Sequence, residues 1–129
     1  MENLYETIST FTPDNLIAGH NVPILPRGIV LAKNQGVIQR GTVIGIVTAT
    51  KLAVPVDSTK TDGSQTPFGI TTDTVDTGSG AATQDTKTTA YTSGLFNSKA
   101  LRFGGTDNVS KHETKLRELG IYLQENNSY

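Results

Sequence analysis

Two histidines, His20 and His112, and a scatter of carboxylates are the groups through which this 129-residue chain could do acid–base chemistry. Such chemistry needs groups of matched pKa placed together, usually around a histidine or a carboxylate pair. His112 stands beside Glu113 in a helical stretch and reads as a solvated helix-face side chain. His20 follows Gly19 in a loop, and the two histidines have no H-x-x-x-H or H-E-x-x-H spacing, so no metal site of recognisable type is expected. Asp57, Asp62, Asp73, Asp76 and Asp85 are the acids of the central region. Asp73 and Asp76 fall at a strand end and could chelate a cation, but the simpler reading is that they form turns. Gly78–Ser79–Gly80 and Gly104–Gly105 are glycine-rich, yet neither leads into the Lys–Ser/Thr of a phosphate cradle. Cysteine is absent, which removes thiol nucleophiles and thiolate ligands, and without tryptophan a sugar-stacking platform would rest on four Tyr and four Phe. The expectation is a protein that is not an enzyme, with no catalytic residue, metal or cofactor.

The elements that carry these residues are short and β-rich. Hydrophobic residues make up 35% and charged residues 18% of the chain, and Thr, Ser and Gly fill the gap. Threonine is β-branched and so suits strands, while its hydroxyl suits turns. From Val22 onward strand and turn signals alternate. Val22 to Leu25 is an apolar stretch cut by Pro23 and Pro26, which confines any strand there to an edge. Ile29 to Ala32 precedes a turn at Asn34–Gln35–Gly36, and Arg40–Gly41 makes another. Thr42 to Thr48 (TVIGIVT) is a strand whose Gly45 implies a bulge or a close backbone approach. Leu52 to Val56 reads as the returning arm of a hairpin. Ser58 to Gln65 is a polar loop around Asp62–Gly63. Phe68 to Val75 and Thr86 to Phe96 are the next strands, joined by an Asp76-to-Gln84 loop whose composition predicts mobility and little part in a core.

One segment reads as a helix. Ser110–Lys111–His112–Glu113 fits the S-x-x-E capping box. Val109, Leu116 and Leu119 share a face, and Gly120 supplies the residue that ends the helix. Ile121 to Leu123 makes a last short strand. The fold class expected is therefore a mixed α/β, β-dominated small domain with one C-terminal helix, comprising residues 21–129. Residues 1–20 read as a separate, extended N-terminal arm. Pro13 blocks a continuous helix there; a frayed end is one reading of the segment, but a frayed end does not need Tyr5, Ile8 and Phe11, and these side chains read as anchors for a partner. With a net charge of −1 and no basic stripe, nucleic acid is not the expected partner. No apolar run approaches the ~20 residues that span a bilayer, so no membrane partner is expected. Met1 to Thr10 lacks a charged n-region and apolar core, so a secretory signal is not expected either.

Three stretches, in order along the chain, resemble the lambda-type phage head decoration protein family. Thr12 to Val22 (TPDNLIAGHNV, then Pro23) is similar to that family's T-P-D-N-L-I-A-G-x-x-P segment. Gln39 to Ile46 (QRGTVIGI), Asp62–Gly63–Ser64–Gln65 and Phe68–Gly69–Ile70 resemble its central motifs, and Thr92 to Phe96 (TSGLF) with Leu116 to Leu123 (LRELGIYL) its ending. Thr71 departs from the family's usual Leu, and the Gly78-to-Gln84 loop varies freely. The resemblance implies a β-tulip-like body assembled as a homotrimer. Such trimers sit at three-fold and quasi-three-fold positions on the outside of an expanded head and stabilise it against the pressure of packaged DNA. It implies that the N-terminal arm adds a strand to the major capsid protein, and that the protein resides in the virion after assembly in the host cytoplasm. Leu4, Tyr5, Ile8, Phe11, Pro13 and Leu16 are then the expected capsid-binding residues, with Pro13 to Leu16 as the elbow into the body. The alternatives are a β-clip-type small-ligand binding domain, for which the glycine-bearing QRGTVIGIVTA hairpin argues, and another trimeric virion component such as a tail or fibre protein.

Overall fold

The computed structural model describes residues 16–19 and 22–124. Its chief element is a closed five-stranded barrel. In chain order the barrel strands are β2 (Pro26–Leu31), β4 (Val43–Ile46), β5 (Ala53–Pro55), β6 (Gly69–Thr71) and β8 (Thr86–Tyr91). A three-stranded sheet stands beside it, with β9 (Gly94–Asn97) between β1 (Ile17–Gly19) and β10 (Ile121–Gln124). Helix α1 (Val109–Leu119) leads into β10, and β3 (Val37–Ile38) pairs with β7 (Val75–Asp76) as a separate two-stranded ribbon. The small β-dominated domain with its C-terminal helix is thus present among the described residues, as expected.

The expected hairpin is β4 and β5, in antiparallel register with Ile44 opposite Pro55 and Ile46 opposite Ala53. Its Gly45 is required by a close approach: a Cβ there would run into the Ser64 carbonyl oxygen. Strand β4 is buried on both faces because it serves two cores. Val43 belongs to a cluster with Leu16, Val56, Ile70, Phe96, Leu116 and Ile121, which ties the barrel to the sheet and the helix. Its neighbour Ile44, pointing the other way as alternation demands, belongs with Ile29, Leu31, Ile38, Ala53 and Ala90. The threonines fill the polar part of this scheme. Buried Thr71 donates its hydroxyl to the Gln39 carbonyl at 2.9 Å and accepts the Thr42 N–H at 3.1 Å, so its burial leaves the hydroxyl satisfied.

Four expectations need correction. The first barrel strand starts at Pro26, ahead of Ile29, and Val22 to Leu25 forms no strand. Thr86 to Phe96 is two strands, because the chain leaves the barrel at Thr92–Ser93. There the hydroxyls of Thr92 and Ser93 donate to the carbonyls of Leu25 (2.9 Å) and Pro23 (2.7 Å). Phe68 to Val75 is likewise split into β6 and β7. The loop from Asp76 to Gln84 is fastened to the body. The Asn34 carboxamide accepts N–H bonds from Gly80 (2.8 Å) and Ala82 (2.9 Å) and donates to the Ala82 carbonyl (3.1 Å), and Thr77 is buried with its hydroxyl on the Gly36 carbonyl.

The helix departs from expectation at its start. Asn108 is the N-cap residue, and Ser110, one residue inside the helix, donates its hydroxyl to Asn108 Oδ1 at 2.7 Å, so the Ser110–Glu113 box does not form. Gly120 ends the helix in the left-handed region (φ 96°), as expected. The buried face consists of His112 and Leu116, four residues apart, while Leu119 is exposed.

Candidate functional site

Of the residues expected to contact a capsid, Leu4, Tyr5, Ile8, Phe11 and Pro13 lie outside the described residues, as does His20. Leu16 is the one that the structure places. Its side chain is buried (1% exposed) in the cluster joining barrel, sheet and helix. Its carbonyl accepts the Asn97 N–H at 2.8 Å. Three residues follow in β1, which pairs antiparallel with β9 and forms one edge of the three-stranded sheet. Leu16 to Gly19, the end of the segment read as an arm, therefore pack with the body. Edge strands are where an added strand finds backbone partners.

The residues with most chemical potential lie around the start of the helix. Asp107, just before the N-cap, has a side chain 1% exposed and holds two partners. His112 Nε2 lies 2.6 Å from Asp107 Oδ2, and Ser58 donates its backbone N–H to Oδ2 (2.7 Å) and its hydroxyl to Oδ1 (2.8 Å). The His112 ring stacks on Phe103 with centroids 5.7 Å apart and planes 11° from parallel. His112 is thus buried, correcting the expectation of a solvated helix face. Burial pushes the Asp107 carboxyl up, but the bonds from His112 and Ser58 outweigh it and hold the group below the ordinary carboxylate value.

Serine, histidine and aspartate meet here, but their order is wrong for nucleophilic catalysis. A serine nucleophile must hand its proton to the histidine, which the carboxylate orients from behind. Here the carboxylate is in the middle, the Ser58 hydroxyl points at Asp107, and nothing raises its nucleophilicity. The trio instead ties together the loop after β5, the Gly104-to-Asp107 turn and the helix. It was hidden from sequence reading because Ser58 lies 49 residues from Asp107; a usable signal was His112 four residues before Leu116, on one helical face.

Asp57, Asp62 and Asp76 act as turn formers, the reading made for Asp76 from the sequence, whereas Asp85 accepts the Lys33 N–H at 2.9 Å from a distant strand end. Asp57 Oδ1 accepts the Thr59 hydroxyl (2.7 Å) and N–H (3.0 Å), and Asp62 Oδ1 accepts the Ser64 N–H (3.0 Å) and hydroxyl. These hydrogen bonds keep both carboxyls below their ordinary value. Asp76 accepts the Gly78 N–H at 2.9 Å. Among the described residues no three His, Asp or Glu side chains gather as a metal site would require.

No curated protein matches the chain. A family model does: the one for bacteriophage lambda head decoration protein D matches residues 5–122, which takes in Leu16 and every strand of the described residues but for the last two residues of β10. With nearly the whole chain covered, this protein belongs to the bacteriophage lambda head decoration protein D family, and is a structural component of the phage head.

Proposed function

We propose that the protein decorates the outside of the expanded head as homotrimers of a β-tulip-type body, at three-fold and quasi-three-fold positions. There it stabilises the shell against internal DNA pressure. The family match over residues 5–122 carries this reading. A ligand that binds the expanded shell and not its precursor shifts the balance toward the expanded state by mass action. The N-terminal arm is the proposed contact, adding a strand to the major capsid protein, with Leu4, Tyr5, Ile8 and Phe11 filling pockets beside it. Pro13 and Leu16 belong to the elbow: Leu16 is fixed in the core, so it acts by holding the arm's root against the body. Each arm loses entropy when it orders, and three arms on one trimer offset this by acting together. Such a trimer would match the symmetry of the sites it occupies.

Deleting residues 1–12 tests the role of the arm. The truncated protein should keep the secondary structure and solution mass of the full chain and no longer co-sediment with expanded capsids. Co-sedimentation equal to that of the full chain would refute the arm's role.

A further inference from the structure

The chain contains one Asp–Gly pair, Asp62–Gly63, and no Asn–Gly pair. An aspartate before glycine is open to a slow reaction with its own backbone, because the glycine has no Cβ to hinder the approach of its nitrogen. The Gly63 nitrogen attacks Asp62 Cγ: an N–Cγ bond forms, the Cγ–OH bond breaks, and the amide proton leaves with that hydroxyl as water. A second water then opens the five-membered imide. Its hydroxyl adds to one carbonyl carbon, the bond from that carbon to nitrogen breaks, and the nitrogen takes the remaining proton. Opening at the Asp62 main-chain carbonyl leaves the backbone running through Cγ as isoaspartate, one carbon longer than before.

Asp62 is exposed, so water reaches it, yet the groups that this reaction must move are held. The Gly63 N–H donates to Gln65 Oε1 at 2.7 Å, and the Asp62 carbonyl accepts the Thr48 N–H at 2.8 Å. The Gly63 nitrogen and the Asp62 carbonyl oxygen lie in one peptide plane. Turning the nitrogen toward Cγ therefore takes the oxygen off Thr48 and the N–H off Gln65 together. Gly63 (φ 107°) also has little room to move, since a Cβ on it would run into Thr48 Oγ1 and lie 2.9 Å from the Ile46 carbonyl oxygen. The carboxyl is tied as well, Asp62 Oδ1 accepting the Ser64 hydroxyl and N–H. Those bonds keep it ionised to lower pH than usual, and the ionised form is the poorer electrophile.

We infer that Asp62–Gly63 is a site of isoaspartate formation that the fold holds shut, with Thr48 and the Gln65 carboxamide as the restraints. An extra backbone carbon here would pull Asp62 away from Thr48 and displace Ser64, which is fully buried against Gly45 of β4. The damage would thus loosen the β4–β5 hairpin. A head component is not replaced once the particle is built, so slow backbone damage accumulates in it. That benefit rests on the family's place in the phage head, but the restraint itself is a property of the free protein.

The full-length chain is kept for weeks in mildly acidic buffer, folded or unfolded in urea, and isoaspartate at position 62 is then measured. Fragmentation mass spectrometry of the tryptic peptide 61–87 reads it, with Asp73, Asp76 and Asp85 as controls in the same peptide. Isoaspartate should form at position 62 at least about tenfold more slowly in the folded chain than in the unfolded one, since reaction requires local opening. Gln65→Met keeps the side-chain length without the oxygen acceptor, and should raise the folded rate about fivefold, as loss of one hydrogen bond implies. Equal rates in the folded and unfolded chain, or in wild type and Gln65→Met, would overturn the inference. Should that variant fail to fold, hydrogen exchange of the wild-type Gly63 amide takes its place: slowed exchange is expected, and exchange as fast as in the unfolded chain would overturn the restraint. Neither result bears on capsid binding, and a chain that fails to bind capsids leaves the restraint in place.

Discussion

Replacing Asp107 by Asn should destabilise the fold by about 1–3 kcal/mol at neutral pH, the cost of leaving a buried hydrogen-bonding group unsatisfied. The carboxylate is 1% exposed and takes bonds from His112, the Ser58 N–H and the Ser58 hydroxyl. An Asn keeps one acceptor oxygen and turns the other into a donor, so His112 or Ser58 then faces an N–H₂ group. A bond to a charged partner contributes about 1.5–3 kcal/mol and an unsatisfied buried donor costs about 1–3 kcal/mol, which brackets the estimate. The pH dependence carries a sign. The Asp107 carboxyl is held below its ordinary value in the folded protein. Its contribution is therefore complete above the unfolded-state pKa of about 3.9 and is lost as pH falls through the lower folded value. Urea unfolding of wild type and Asp107→Asn, at one protein concentration and at several pH values, measures this. The difference should be full at pH 6–7 and shrink below pH 4. A difference under about 0.5 kcal/mol at pH 7, too small for a buried group left unsatisfied, would refute the reasoning, as would one that grows on acidification.

Three further outcomes follow from packing and loop geometry. Leu116→Ala should cost about 2–5 kcal/mol in urea unfolding, since it empties the one apolar side chain that the helix buries fully. Asn34→Ala should lower stability by about 1–3 kcal/mol, since it removes three hydrogen bonds and leaves Ala at φ 62°, and raise amide hydrogen exchange at Gly80 and Ala82, whose N–H groups lose their acceptor. Gly45→Ala should lower the yield of folded protein or its urea midpoint, because its methyl overlaps the Ser64 backbone; a midpoint equal to wild type would mean that the loop around Ser64 yields freely.

Local signals in the sequence carried a good part of this architecture. The β4–β5 hairpin was legible because the apolar TVIGIVT and LAVPV runs flank a polar turn, and Gly45 marked the close approach. Gly120 marked the helix end. What failed were readings whose answer lay at long range. The capping box at Ser110 lost to Asn108, which stands two residues earlier and whose carboxamide oxygen takes the Ser110 hydroxyl. The threonine- and glycine-rich loop after Asp76 looked free in sequence, but its fastening is Asn34, more than 40 residues away. His112 looked solvated because its partner's other ligand, Ser58, comes from a distant loop. Tyr91 and Leu95 appeared to belong to one strand, whereas the hydroxyls of Thr92 and Ser93, bound to Leu25 and Pro23, turn the chain from barrel to sheet. Of the expected contact residues, Leu16 is the one with a described position, and it is a core residue.

Co-sedimentation of the full-length chain with expanded, undecorated capsids of its own phage tests the central claim most directly. Saturable binding to expanded shells, absent with unexpanded ones, is the predicted result. A chain that stays in the supernatant with both would contradict a role in decorating the head.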